Sequence, residues 1–153
     1  MSKKSAGILL YRTSNESLEV FLVHPGGPFW KNKDAGAWSI PKGEFEDEDP
    51  LDAAIREMKE ETGITLKGDF IELIPIKQKS GKLVYAFAIE YDLDPSKIKS
   101  NEFEMEWPPK SGKKKMFPEI DKAEWFEIKT AKEKINPGQE NLIVELADKL
   151  RSS

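Results

Sequence analysis

The stretch Pro41–Ile64, PKGEFEDEDPLDAAIREMKEETGI, decides the reading of this chain. It opens as a loop turning on Gly43 and continues as a helix of about four turns. On a helical wheel Leu51, Ala54, Ile55, Met58 and Thr62 share one side, a face fit for burial. Glu57, Glu60 and Glu61 stand at i, i+3 and i+4, so the pattern predicts carboxylates converging on the opposite side. Like charges at that spacing repel, and folding alone does not ask for them. A divalent cation removes the conflict, because hard oxygen ligands suit magnesium or manganese. Arg56, four residues before Glu60, is placed to hold it by a charge-assisted hydrogen bond. Taken alone, EMKEE reads first as the solvated acidic face of an amphipathic helix.

The wider spacing adds to this. REMKEETGI, preceded by a loop glycine and an acid, resembles the Nudix box. That pattern is a Gly, five residues, a Glu, seven residues, then Arg-Glu-apolar-any-Glu-Glu-any-Gly-apolar. Arg56, Glu57, Met58, Glu60, Glu61, Gly63 and Ile64 fill its last part, and Glu48 stands eight residues before Arg56. Only four residues separate Gly43 from Glu48, so the loop is one residue short. Choosing Asp49 instead moves the deletion into the helix, where it would rotate every side chain. Glu48 is therefore assigned to the pattern.

The resemblance implies an α/β fold, a Nudix-type α/β/α sandwich with a mixed β-sheet, in which the box (about 43–64) forms a loop-helix-loop. It also implies magnesium-dependent hydrolysis of a phosphoanhydride bond in a nucleoside diphosphate-linked substrate, with Mn2+ as a substitute. Glu57, Glu60, Glu61 and the backbone carbonyl of Lys42 would be the metal ligands. Gly43 and Glu48, with Arg56, would support the loop against the helix. The general base is either Glu57 or a later acid; Glu119, six residues before Trp125, ranks before Glu102, Glu104 and Glu106, each of which also reads as a solvated loop carboxylate. The junction WSIPKGE is similar to enzymes acting on diadenosine polyphosphates. Nucleoside triphosphates and RNA 5′ ends are the other substrate readings. A Nudix domain that senses a nucleotide without turnover is the rival, but such domains usually lose box carboxylates and this chain keeps all three. An isomerase acting on an allylic diphosphate would commonly want a cysteine, and the chain has none.

The whole sequence of 153 residues is expected to form one domain, 1–153. Its net charge of −4 gives no basic excess for nucleic acid at large. Nine Asp or Glu lie between Gly43 and Ile64 against one Arg and one Lys, a local field that attracts cations. MSKKSAGILLYR has an apolar run too short for a secretory signal, no segment reaches membrane-span length, and a cytoplasmic monomer or homodimer is expected.

Strands are expected at Ser5–Tyr11, Leu18–His24, Ala37–Ile40, Phe70–Ile76, Leu83–Tyr91 and Trp125–Ile128, with an irregular stretch from Asp94 to Pro118. Leu142, Leu146 and Leu150 predict a C-terminal helix over Gly138–Leu150. His24 reads as a structural, hydrogen-bonded residue. Trp30, Trp38 and Tyr85 read as core or as pocket aromatics, with Trp38 carried as substrate-binding. Among Lys31, Lys33 and Lys42, position favours Lys42 as a phosphate contact. WPPKSGKKK reads as an exposed loop or a basic lip over a polyphosphate.

Overall fold

The chain starts with the hairpin its two apolar runs predict. β1 (Lys4–Ser14) and β2 (Ser17–Pro25) pair antiparallel through a two-residue turn, in which Asn15 and Glu16 both adopt positive φ. The computed structural model describes residues 3–151; Met1 and Ser2 of the basic start, with Ser152 and Ser153, lie outside the described residues. β3 (Lys42–Phe45) pairs antiparallel with the first residues of β1, and α1 (Pro50–Thr62) follows. Two short edge strands, β4 (Ile71–Glu72) and β5 (Ile76–Lys77), pair with β6 (Leu83–Glu90), which runs parallel to β1. A separate hairpin, β7 (Glu102–Glu106) and β8 (Lys114–Pro118), precedes β9 (Ile120–Glu127), which closes the other edge beside β2. α2 (Ile128–Lys134) and α3 (Glu140–Arg151) complete the order.

The strand order β4-β6-β1-β2-β9 is a mixed sheet covered on both faces, the expected sandwich. Period-two alternation in β1 sends Ala6, Ile8 and Leu10 into the layer holding Ala54 and Met58 of α1. Leu9 points to the other layer, with Ile135 and with Leu142, Ile143 and Leu146 of α3. A strand buried on both faces is apolar at nearly every position, which is why AGILL within SAGILLY reads as a continuous run.

Several expected boundaries move. Ala37–Ile40 is a loop with one bridge to the sheet, Ser39 to Val23, and one from Trp38 to Ile135 beyond the sheet, and the strand lies instead at β3, where Gly43 and Glu44 pair with Ala6 and Ser5. Phe70–Ile76 is broken into β4 and β5, with Ile74–Pro75 between them. The stretch Asp94–Pro118 contains the β7–β8 hairpin, and α2 arises where WFEI was expected to end a strand. The C-terminal helix is present, entered through a 3-10 turn at Pro137–Gln139.

His24 is structural, as expected, and 1% exposed. Its Nδ1 lies 2.7 Å from Asp121 Oδ1 and its Nε2 lies 2.6 Å from the Lys33 carbonyl oxygen. Each ring nitrogen thus meets an oxygen, one from a side chain and one from the backbone. The histidine thereby ties the loop after β2 to β9.

Candidate active site

Asp49 and Glu48 divide two tasks that the sequence leaves adjacent. Asp49 is the N-cap of α1, its carboxylate accepting from Leu51 N at 3.1 Å and Asp52 N at 3.3 Å, with Pro50 opening the helix. Glu48 faces the guanidinium of Arg56: Nε donates at 3.1 and 3.0 Å and Nη2 at 2.6 Å. This geometry supports Glu48 as the acid of the box. The Arg56 Nη1 group also donates to Glu57 Oε1 at 3.0 Å and Glu60 Oε1 at 3.3 Å. One cation thus holds the loop and two of the three carboxylates. Gly63 ends the helix in a left-handed conformation (φ 79°), as its position predicts.

The carboxylates do not all stand on the solvent side. The buried stripe of α1 is Ala53, Ala54, Met58, Glu61 and Thr62, while Leu51 and Ile55 are only half-buried. Glu61 is 9% exposed, and its Oε2 is buried without a hydrogen-bond partner. Burial first, then the charges of Glu57 and Glu119, push the Glu61 carboxyl up to about 8; the ammonium of Lys42 pulls the other way. Glu57 is raised by burial and then by Glu60, against the pull of Arg56. Lys42 is lowered by burial and by Lys82, against the pull of Glu61 and Glu44. Carboxylates crowded together and partly buried in this way mark a candidate functional site.

Gly43 supplies the other half of the geometry. A Cβ built on it would overlap the carboxylate of Glu57, so that carboxylate rests directly on the β3 backbone next to the Lys42 peptide. The colliding atoms are the far end of a flexible side chain. Gly43→Ala is therefore expected to turn Glu57 away while leaving the fold intact. Hydrolytic activity should fall about 10–100-fold, the cost of displacing a reacting group by an ångström, while Tm moves by no more than about 3 °C. Steady-state kinetics beside a thermal melt check this; an unchanged kcat/KM would contradict the role given to Gly43.

Lys42, Glu61 and Glu119 line one cleft of about 220 Å3 with Val23, Pro25 and Ser39. A groove of about 740 Å3 lies elsewhere, between Ile74–Lys77 and α3, where the acids Glu145 and Asp148 share the lining with Lys77 and Lys149. Glu119 is brought to Glu61 by backbone pairing: its carbonyl accepts from Gly26 N at 2.9 Å and its own N donates to the Asn101 carbonyl at 2.8 Å. Glu102, Glu104 and Glu106 alternate along an exposed face of β7 instead, and Glu106 Oε1 accepts from Lys110 N at 2.7 Å. Of the four later acids, Glu119 is the one placed in the cleft.

Trp38 is not brought to the site. It is 3% exposed, in the layer on the α3 side of the sheet, with ring centroids 4.9 Å from Phe126 and 5.2 Å from His24. Its Nε1 donates to Asp34 Oδ1 at 2.8 Å. A ring covered on both faces has no surface for a substrate, so the substrate-binding expectation for Trp38 gives way to a core role. Tyr85 packs on Phe45, while Trp30 stays exposed. The charge of the Lys42 side chain against Glu61 was not foreseen from sequence, which favoured its position and its carbonyl. Strand pairing brings the two into one cleft, and no local pattern encodes it.

The donors present fit a hard divalent cation. Glu61 Oε2 is an orphaned buried oxygen, and Glu57 lies on the glycine cradle beside it. Among the described residues no three acidic or histidine side chains converge on a single point. Arg56 draws Glu57 and Glu60 toward its guanidinium, and Glu60 is about half exposed.

The NUDIX domain family model matches residues 1–146, and the chain belongs to the Nudix family, whose fold and site define a pyrophosphohydrolase, a hydrolase of acid anhydrides. Solved structures agree in fold. A Caenorhabditis elegans Ap4A hydrolase in a binary complex matches with TM-score 0.65 and 22% identity over 99% of both chains. The NUDIX domain of Shewanella oneidensis NrtR, complexed with ADP ribose, matches with TM-score 0.66 and 14% identity, covering 98% of this chain and 89% of that one. A mutT/nudix family protein from Listeria innocua matches with TM-score 0.64 and 16% identity, covering 98% and 94%. No helix among the described residues is long and apolar enough to cross a membrane.

Proposed function

We propose that this protein hydrolyses a phosphoanhydride bond in a nucleoside diphosphate-linked substrate, using Mg2+, or Mn2+ in its place, held by Glu57, Glu60, Glu61 and the Lys42 carbonyl. The observation that carries this reading is the buried, unpartnered Glu61 Oε2, on a carboxyl that burial and then the neighbouring acids push up to about 8. When bound, the cation supplies charge neutralisation at the pyrophosphate and acidification of the attacking water. The chain's own groups do the rest. Arg56 and Glu48 lock the loop to α1, so that Glu57 keeps its place over Gly43. The Lys42 ammonium, in the same cleft, attracts a phosphate oxygen. Glu119, exposed at the cleft edge, takes the proton from water, with Glu57 as the alternative base. The protein acts as a single domain in the cytoplasm, as a monomer or homodimer.

Dinucleoside polyphosphates and nucleoside triphosphates are the leading substrates. A panel of diadenosine polyphosphates, nucleoside triphosphates, sugar nucleotides, dinucleotide cofactors and 5′-triphosphorylated RNA, assayed for phosphate release with and without magnesium, tests the proposal. Magnesium-dependent cleavage of one class is expected. Silence across the panel, with metal binding intact, would favour a nucleotide-binding domain without turnover.

A further inference from the structure

The β7–β8 hairpin and the loop after β2 run side by side away from the cleft. At the root, Gly26 N donates to the Glu119 carbonyl, and Lys99 N donates to the Glu61 carbonyl at 3.2 Å, so the hairpin springs from α1 and the cleft itself. Next along, Gly27, at φ 99°, lies under the ring of Phe103, where a Cβ would come within 3.0 Å. At the far end Phe29 meets Trp107 edge to face, with centroids 5.9 Å apart. Strands of five residues carry this wall ~17 Å from Glu119.

What the wall presents is unusual for a chain of net charge −4. Phe29 is 58% exposed and Trp30 38%, apolar rings that a monomer gains nothing by showing to water. Lys33 Nζ stands 5.2 Å from the Trp30 centroid. Beside them at the hairpin tip, Lys110, Lys113, Lys114 and Lys115 are all exposed, and among the described residues none of them forms an ion pair. Exposed rings interleaved with unpaired ammonium groups suit a planar base attached to phosphates. A wall of that length suits a chain of several phosphates ending in a second nucleoside better than a single diphosphate bridge.

We infer that the Phe29–Lys33 loop and the β7–β8 hairpin form a distal subsite. It stacks a second nucleobase on Phe29 and Trp30 and holds the intervening polyphosphate with the tip lysines. The inference rests on the pyrophosphohydrolase reading for the near end of the substrate, and it makes a dinucleoside polyphosphate the class the site is built for.

The test is binding without turnover, by titration calorimetry in EDTA. The probes are diadenosine tetraphosphate, ATP and inorganic tetraphosphate. Diadenosine tetraphosphate is expected to bind about tenfold more tightly than ATP, and Phe29→Ala/Trp30→Ala to remove that advantage. The same variant should bind inorganic tetraphosphate as the parent protein does. Lys110→Gln/Lys113→Gln/Lys115→Gln should weaken diadenosine tetraphosphate and inorganic tetraphosphate alike, by about three- to tenfold at low salt, and flatten the salt dependence. Unaltered binding of diadenosine tetraphosphate by Phe29→Ala/Trp30→Ala would overturn the subsite. So would an equal loss for inorganic tetraphosphate, which has no base to stack. Because the readout is affinity, a protein inactive on every substrate would sink the enzymatic reading while this subsite stood or fell on its own result.

Discussion

Glu61→Gln is expected to lower kcat/KM by about 10²–10⁴-fold, the range for removing a group that acts directly at a reacting centre. Glu61 is the most enclosed of the three box carboxylates, and its Oε2 has no hydrogen-bond partner among the described residues. A neutral amide matches its shape but cannot ligate a hard cation with the same charge. The stability of the metal-free protein should move the other way. At pH 8 the parent holds a substantially ionised carboxylate against Glu57 and Glu119, whereas the variant does not. Its melting temperature in EDTA should therefore equal or exceed that of the parent. Kinetics and a melt on the same preparation check both halves. Full metal-dependent activity in Glu61→Gln would remove the site assignment.

The metal-free parent should lose stability as pH rises from about 5 to above 8. The folded-state value for Glu61 is raised to about 8 from an ordinary 4.5, so between those values the folded protein binds more protons than the unfolded chain. Stability then declines with rising pH, is fully present below the unfolded value and is lost above the folded one. Glu57, raised as well, adds in the same direction. Lys42 is lowered, so its contribution has the opposite sign, in the window below the ordinary lysine value. At about 1.4 kcal/mol per pH unit the Glu61 effect is on the order of 2–5 kcal/mol. That corresponds to roughly 5–15 °C in Tm for a chain of this size. Saturating Mg2+ should remove most of the slope, because a ligand that binds only the folded, ionised site adds stability where the metal-free protein loses it. Melting curves from pH 5 to 8.5, with EDTA or Mg2+, provide the measurement. A flat EDTA series would show that Glu61 is not held protonated by its surroundings.

Local chemistry made much of this site legible. The i, i+3, i+4 spacing of Glu57, Glu60 and Glu61 follows from helical geometry alone, as do the pairing of Arg56 with Glu60 and the stop at Gly63. The choice of Glu48 over Asp49 rested on keeping the deletion out of a helix, and the hydrogen bonds to Arg56 agree with it. The β1–β2 hairpin was readable because turn residues separate two apolar runs. The β7–β8 hairpin was hidden in an irregular stretch, although EFEME alternates with period two. Its partner KKMFP does not alternate, so the pair carries no shared period that marks a hairpin.

What the sequence alone determined is the identity of the acids, their helix and the alternation that buries β1 on two faces. These are properties of neighbours in the chain, set by 3.6- and 2-residue periods. Only the tertiary structure decided which carboxylate is buried, that Lys42 faces Glu61, and that Glu119 rather than Glu102, Glu104 or Glu106 reaches the cleft. It also decided that Trp38 belongs to the core. Those outcomes depend on which strands meet and at what register. Pairing brings residues dozens of positions apart within reach, and desolvation then acts on the groups so enclosed.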